Sequence, residues 1–259
     1  MNILEQIVAS TKARVEQEKK VGLSVCGAQD RPAFLFEHSL RQQDIAFVCE
    51  LKKASPSKGV IAEDFPYLAI AEEYEEAGAA ALSVLTEPEF FQGSNQYLSE
   101  IRKTVSLPLL RKDFIIDPFQ IEQAASLGAD ALLLICAILT PAQLSSFIRE
   151  SDRFGLSSLV EVHDEDELKM ALGAGARVIG VNNRNLKTFE VNMGTSIRLR
   201  HLVPREIRFV SESGIRSAQE VELLRQNGID AVLVGETLMR APDKKAALAQ
   251  LRGEPYVQG

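Results

Sequence analysis

The stretch "ASLGADALLLIC", residues 125–136, joins the end of an amphipathic segment to an unbroken apolar run through Gly128. Glycine accepts the left-handed backbone that ends a helix, and a short apolar run behind it reads as a strand buried on both faces. The same join recurs as "EEAGAAALSVLT" (75–86), "LGAGARVIGVNN" (172–183) and "LRQNGIDAVLVGE" (224–236), with its glycine at Gly78, Gly175 and Gly228. The four glycines stand 47 to 53 residues apart. That spacing is long for one strand-plus-helix unit, so each interval holds two.

The intervening units are present. Candidate strands lie at 46–52, 81–85, 108–114, 131–137, 158–162, 178–182, 207–211 and 231–235, separated by helical patterns such as "PYLAIAEEYEEAG" and "SAQEVELLRQNG". Asp117-Pro118 sets a capping side chain before a proline at the first helical position, and Asp164-x-x-Glu167 has the spacing of a capping box. Eight strand–helix units with nearly all-apolar strands predict an α/β protein, a single (β/α)8 TIM barrel over residues 46–259. A doubly wound sheet would show a glycine-rich turn after its first strand. Here that strand runs into "KKASPSKG", and the "GAGARV" at 173–178 ends a helix instead. Residues 1–45 form an N-terminal helical extension, packed across one barrel end or closing over its mouth.

Composition narrows the function. A formal charge of −7 over 259 residues argues against nucleic-acid or membrane-surface partners while leaving room for a local basic pocket. No apolar run approaches the ~18 residues of a membrane span. The first twenty residues lack a signal-peptide core, and Cys26, Cys49 and Cys136 fit neither a disulfide framework nor zinc spacing. A cytoplasmic protein is expected; its oligomeric state is not legible.

Charges at the C-terminal ends of barrel strands mark the candidate site, because that is where such barrels work. Glu50 and Lys52 end the first strand, Lys112 the third, Glu161 the fifth and Glu212 the seventh. Alternate strands of a barrel feed one interior layer, so these side chains converge. Buried ion pairs alone would explain one lysine and one glutamate; two lysines and three glutamates exceed what packing needs. Lys112 is there to donate a proton or to carry a covalent intermediate, while Arg111 and Asp113, at alternate positions, point outward toward the helices. "SESGI" (211–215) and "VGETLM" (234–239) place glycines after the last two strands, where open backbone N–H groups bind phosphate, and "KKASPSKG" adds Ser55 and Ser57. His163, beside acids that more simply start a helix, is a weak metal candidate. Phe90-Phe91 either caps an aromatic substrate or seals its loop.

"CELKKASPSKG", "LLRKDFIID", "SLVEVHDEDEL", "IGVNNRNLKTFEVN", "VSESGI" and "VLVGETLM" together resemble the consecutive motifs of the indole-3-glycerol-phosphate synthase family, across essentially the whole chain. The resemblance implies a carboxy-lyase of tryptophan biosynthesis that turns 1-(2-carboxyphenylamino)-1-deoxyribulose 5-phosphate into indole-3-glycerol phosphate, with no metal and no organic cofactor. It further implies Lys112 as the acid toward the substrate ketone, with Glu161 and Lys52 assisting ring closure and dehydration and Glu50 and Glu212 holding the network. Asn182, Arg184 and Ser213 match substrate-binding positions, and Phe114 and Phe91 the apolar walls around the aromatic ring. Ser55, Gly214, Gly235 and Glu236 match the phosphate site. Some family members lay a tryptophan from the N-terminal segment over that ring; this chain has no tryptophan. The rival reading is a Schiff-base aldolase acting on a sugar phosphate through Lys112.

Overall fold

In the computed structural model, which describes residues 2–23, 31–185 and 188–254, the four repeated glycines take the left-handed backbone. Gly78, Gly128, Gly175 and Gly228 have φ of 77°, 84°, 87° and 71°. Three residues beyond each of them a strand begins. The strands are β1 Ala46–Leu51, β2 Ala81–Leu85, β3 Leu109–Lys112, β4 Ala131–Ile135, β5 Ser157–Val162, β6 Val178–Asn182, β7 Arg208–Glu212 and β8 Ala231–Val234. Every neighbouring pair is parallel, and β8 returns to β1 with Ala46 opposite Ala231, which closes the barrel. The helices are α1 Ile3–Val21, α2 Leu35–Ser39, α3 Tyr67–Glu76, α4 Asn95–Thr104, α5 Pro118–Ser126, α6 Pro141–Arg153, α7 Glu165–Gly173, α8 Gly194–Arg200, α9 Ala218–Gln226, α10 Glu236–Arg240 and α11 Lys244–Arg252.

Several strands are shorter than their apolar runs. Asp113 turns its carboxylate onto the Phe114 N–H at 2.8 Å, so β3 stops at Lys112. A 3-10 turn at Cys136–Ile138 ends β4. Lys52 stands one residue beyond β1. The segment after it is not an open loop: Ala54–Ser55 pairs antiparallel with Gly59–Val60.

The period of two splits the core. Outward-facing Leu82, Leu132, Val160, Ile179, Phe209 and Val232 pack against the helices. Inward-facing Val48, Leu110, Leu133, Leu159, Val210 and Leu233 fill the lower barrel, joined by Phe36 and Leu40 from the segment ahead of β1. Phe36 is fully buried. Residues of the first 45 thus lie at both ends. At the floor, the Glu37 N–H donates to Ser157 Oγ at the start of β5, 3.2 Å away. At the mouth, α1 pairs Arg14 with Asp113 and Lys19 with Asp117, both at 2.7 Å.

The cap signalled at Asp117 before Pro118 is present, and α9 carries a further one at Ser217 with its reciprocal Glu220. The Asp164–Glu167 box is a correction. Asp164 does accept from the N–H groups of Asp166 and Glu167. The Glu167 carboxylate, however, accepts from the backbone N–H of His163 at 2.8 Å and meets its ring Nδ1 at 2.9 Å. An imidazole beside the helix start competes for that carboxylate and takes it.

Cys49 and Cys136 are buried and unpaired, and burial pushes each thiol up to about 12. Cys26 lies outside the described residues, as do positions 186 and 187 of the "IGVNNRNLKTFEVN" motif. Among the described residues, no helix is long and apolar enough to cross a membrane.

Candidate active site

The odd-numbered strands deliver their charges to one layer above the apolar floor. Lys112 Nζ donates to Glu212 Oε2 at 2.8 Å and to Glu161 Oε2 at 3.2 Å. Lys52 Nζ donates to Glu50 Oε1 at 2.6 Å. Asn182, closing β6, reaches Glu161 Oε1 at 3.4 Å and accepts from the Arg184 N–H at 3.0 Å. The Lys112 side chain is 12% exposed and the carboxylates beside it less than 5%. Removing one partner from such a group would leave an uncompensated buried charge.

The even-numbered strands supply space. A Cβ at Gly180 on β6 would collide with the Glu212 carboxylate, and one at Gly235 would collide with Glu50 and crowd Lys52. Ser83 on β2 is small enough to let Glu50 in and turns its hydroxyl toward Glu50 Oε2 at 3.4 Å. Asn183 fixes the top of β7. Its amide donates to Ser211 Oγ, Glu212 O and Ser213 O at 2.9, 3.0 and 3.2 Å. Sequence reasoning singled out none of Ser83, Gly180 and Asn183. Their signal is a small or amide residue at an inward or strand-end position beside a charged strand, visible only once the register is known.

Electrostatics follow from burial and neighbours. Burial opposes the charge of Lys112, but Glu212, Glu161 and Glu50 around it raise its pKa well above the ordinary lysine value. It stays an ammonium. Burial pushes Glu212 up to about 7 against the pull of Lys112, helped by the nearby charges of Glu161 and Glu50. Glu161 goes the other way: burial favours its neutral form, yet Lys112 and His163 hold its pKa below the usual carboxylate value. Two carboxylates on one cation therefore have opposite leanings, one toward the acid and one toward the base.

Arg111 and Asp113 face outward, as their alternation predicts. The fully buried Arg111 donates to Gln120 O at 2.8 Å, Gln123 Oε1 at 2.6 Å and Asp113 Oδ2 at 3.2 Å. Asp113 accepts from Thr86 at 2.7 Å and from both Arg14 nitrogens. This network pins the short end of β3 between α5 and α1, and Lys112 with it.

Above the charged layer opens a cavity of about 610 Å³. All the residues expected from the sequence line it: the five charged groups, Asn182, Arg184, Ser213, Phe114, Phe91, Ser55, Gly214, Gly235 and Glu236. Its walls differ in kind. Phe91 and Phe114 stand with ring centroids 6.0 Å apart, and Ile3, Leu4 and Ile7 of α1 close over the apolar side. Across from them, Ser213 and Gly214 both take positive φ, 67° and 90°, and α10 starts at Gly235 without a side-chain cap. Lys58 of the hairpin sits 3.6 Å from Glu236. The place thus offers an apolar slot, a charged centre and a rim of uncommitted backbone N–H groups.

Comparison with known proteins agrees with this arrangement. Barrels with little sequence in common superpose on it: 3-hexulose-6-phosphate synthase from Salmonella typhimurium (TM-score 0.66, 17% identity, 81% of this chain and 97% of that one) and thiamine phosphate pyrophosphorylase from Pyrococcus furiosus (0.60, 20%, 83% and 96%). These share the fold alone. Closer in sequence are indole-3-glycerol phosphate synthases from Ruminiclostridium cellulolyticum, 58% identical over 97% of this chain and 99% of that protein, and from Endomicrobium trichonymphae, 50% identical over 96% and 99%. The profile of that family matches residues 4–251. From its barrel, its charged layer and these matches together, the chain belongs to the indole-3-glycerol phosphate synthase family.

Proposed function

We propose that Lys112, Glu161 and Lys52 divide the acid–base work of turning 1-(2-carboxyphenylamino)-1-deoxyribulose 5-phosphate into indole-3-glycerol phosphate, with Glu50 and Glu212 holding the lysines in place. The observation that carries this reading is the Lys112 ammonium, held between two carboxylates at the head of the cavity. When a ring carbon attacks a ketone, negative charge gathers on the oxygen. A fixed cation in a dry site stabilises that charge and supplies the proton that quenches it. Loss of CO2 then restores the ring's aromaticity. Dehydration needs one acid for the leaving hydroxyl and one base for the ring proton, roles that suit Lys52 and the ionised Glu161.

Binding follows the walls. Phe91 and Phe114 flank the anthranilate ring. Asn182, Arg184 and Ser213 meet the polar middle, and the backbone at Gly214, Gly235 and Glu236, with Ser55, grips the phosphate. A remote anionic handle supplies binding energy that orients the reacting carbons. In this reading α1 is the lid. The substrate is a small phosphorylated molecule, with no part for nucleic acid or membrane, and the buried free thiols suit the cytoplasm. The aldolase alternative needs a neutral amine as nucleophile, and the anions around Lys112 favour the cation instead.

The test is Lys112→Met. Turnover should fall by about 10³-fold or more, combining lost acid catalysis with lost charge stabilisation, while phosphate-bearing analogues still bind. Melting curves of the same preparation at pH 6 should show a folded protein, since Glu212 can then hold a proton between the two carboxylates. Near-normal turnover would make Lys112 part of the scaffold.

A further inference from the structure

The reaction takes up a proton: a carboxylate leaves as neutral CO2 and a hydroxyl leaves as water, so one proton per turnover must reach the acids of the site from outside. Glu161 Oε2 is bonded to Lys112, and on the far side of the carboxylate His163 Nε2 faces Oε1 at 3.5 Å. That Nε2 is buried and has no hydrogen-bond partner. The other ring nitrogen meets Glu167 Oε2 at 2.9 Å, and Glu167 is 22% exposed. His163 is absent from the cavity lining.

We propose that His163 is the port through which this proton enters, acting through Glu161 rather than on the substrate. The inference rests on Glu161 being an acid–base group of the site. Over a turnover Lys112 and Lys52 each give up a proton and Glu161 recovers one from the ring, so once that proton is returned one lysine is still short and must be reloaded from outside. The imidazolium Nε2–H bond breaks and an O–H bond forms at Glu161 Oε1; the carboxyl then turns about χ3 to bring that O–H to Lys112, whose lone pair takes the proton. The imidazole, now neutral, turns about χ2 and presents its bare nitrogen on the Glu167 side, where solvent reloads it. Burial works against the imidazolium. The hydrogen bond to Glu167 and the charges of Glu161, Glu167 and Glu212 outweigh it and raise the ring's pKa. The other groups about it are Asp164 at the start of α7, the neutral thiol of Cys136 in the 3-10 turn, and Lys112 beyond Glu161. A helix cap loses its reciprocal bond in this arrangement because Glu167 serves the ring.

The experiment compares His163→Gln, Glu167→Gln and Glu161→Gln with the unaltered enzyme in kcat and KM across pH, with and without added imidazole. His163→Gln should lower kcat about tenfold, less than the ~10²-fold of a group that itself transfers the proton to substrate, with KM unchanged. Added imidazole should restore turnover, and the alkaline fall in kcat should lose its histidine step. Glu167→Gln keeps the ring but removes a charge that holds it protonated, so that fall should begin at lower pH. Unchanged kcat in His163→Gln overturns the proposal. So does a uniform loss that imidazole does not restore and that leaves the pH profile's shape intact. An inactive Glu161→Gln beside an unaffected His163→Gln removes only the port; an active Glu161→Gln removes the role of Glu161 itself.

Discussion

A single methyl group at position 180 would unseat Glu212. The Cβ of Gly180→Ala would overlap a carboxylate oxygen, and the nearest other atom, Leu159 Cδ1, is 3.1 Å away. The carboxylate is the flexible partner, so the fold should survive while the bond to Lys112 does not. Gly180→Ala is expected to melt within a few degrees of the parent, yet to lose about tenfold or more in kcat, part of the ~10²-fold that a positioned acid–base group contributes. Shortening the acid in Gly180→Ala/Glu212→Asp should recover part of that loss, and steady-state rates on the two variants decide it. Glu212 also leaves a mark on stability. Its pKa is about 7 in the fold, above its ordinary 4.5. The folded state therefore binds the proton more tightly, and this contribution is full below pH 4.5 and lost as pH rises through 7. Melting curves of Glu212→Gln should gain on the parent between pH 5 and pH 8; a constant difference would mean Glu212 titrates normally. At this scale the sequence disclosed the charges, because an ion in an apolar strand has few other reasons to exist. It hid Gly180, whose function is an absence of atoms.

At the scale of elements, the eight barrel strands and the quoted helical patterns were legible to within about two residues, since period and caps act locally; the short helices α2 and α10 and the hairpin after β1 were not. Nor were contacts between distant segments. Nothing in "ILEQIVASTKARVEQEKK" says that Arg14 will reach Asp113 from 99 residues away, at 2.7 and 3.2 Å to its two oxygens. Asp113 is fully buried and shared with Arg111, so α1 is tied to the strand end that carries Lys112. Arg14→Met should therefore act on both. We expect a higher KM from a loosened roof, and a loss of roughly 1–3 kcal/mol in unfolding free energy from a buried carboxylate deprived of one partner. Denaturant titration and substrate saturation on one preparation test this. A change in stability with KM untouched would make α1 a brace and not a lid.

For the molecule as a whole, eight parallel strands close on themselves through β1 and β8, and one end is plugged by Phe36 and Leu40. Barrel closure was foreseeable from the glycine joins, which repeat. Packing of residues 1–45 across a barrel end was foreseeable too, but not that Phe36 and Leu40 would do it at the floor while α1 lies at the mouth, because an apolar stretch does not say which end it fills. That floor governs traffic. Among the described residues the cavity is closed below by that plug, so entering substrate, departing carbon dioxide and finished indole-3-glycerol phosphate share the mouth, and no newcomer can be seated until the previous guest has left.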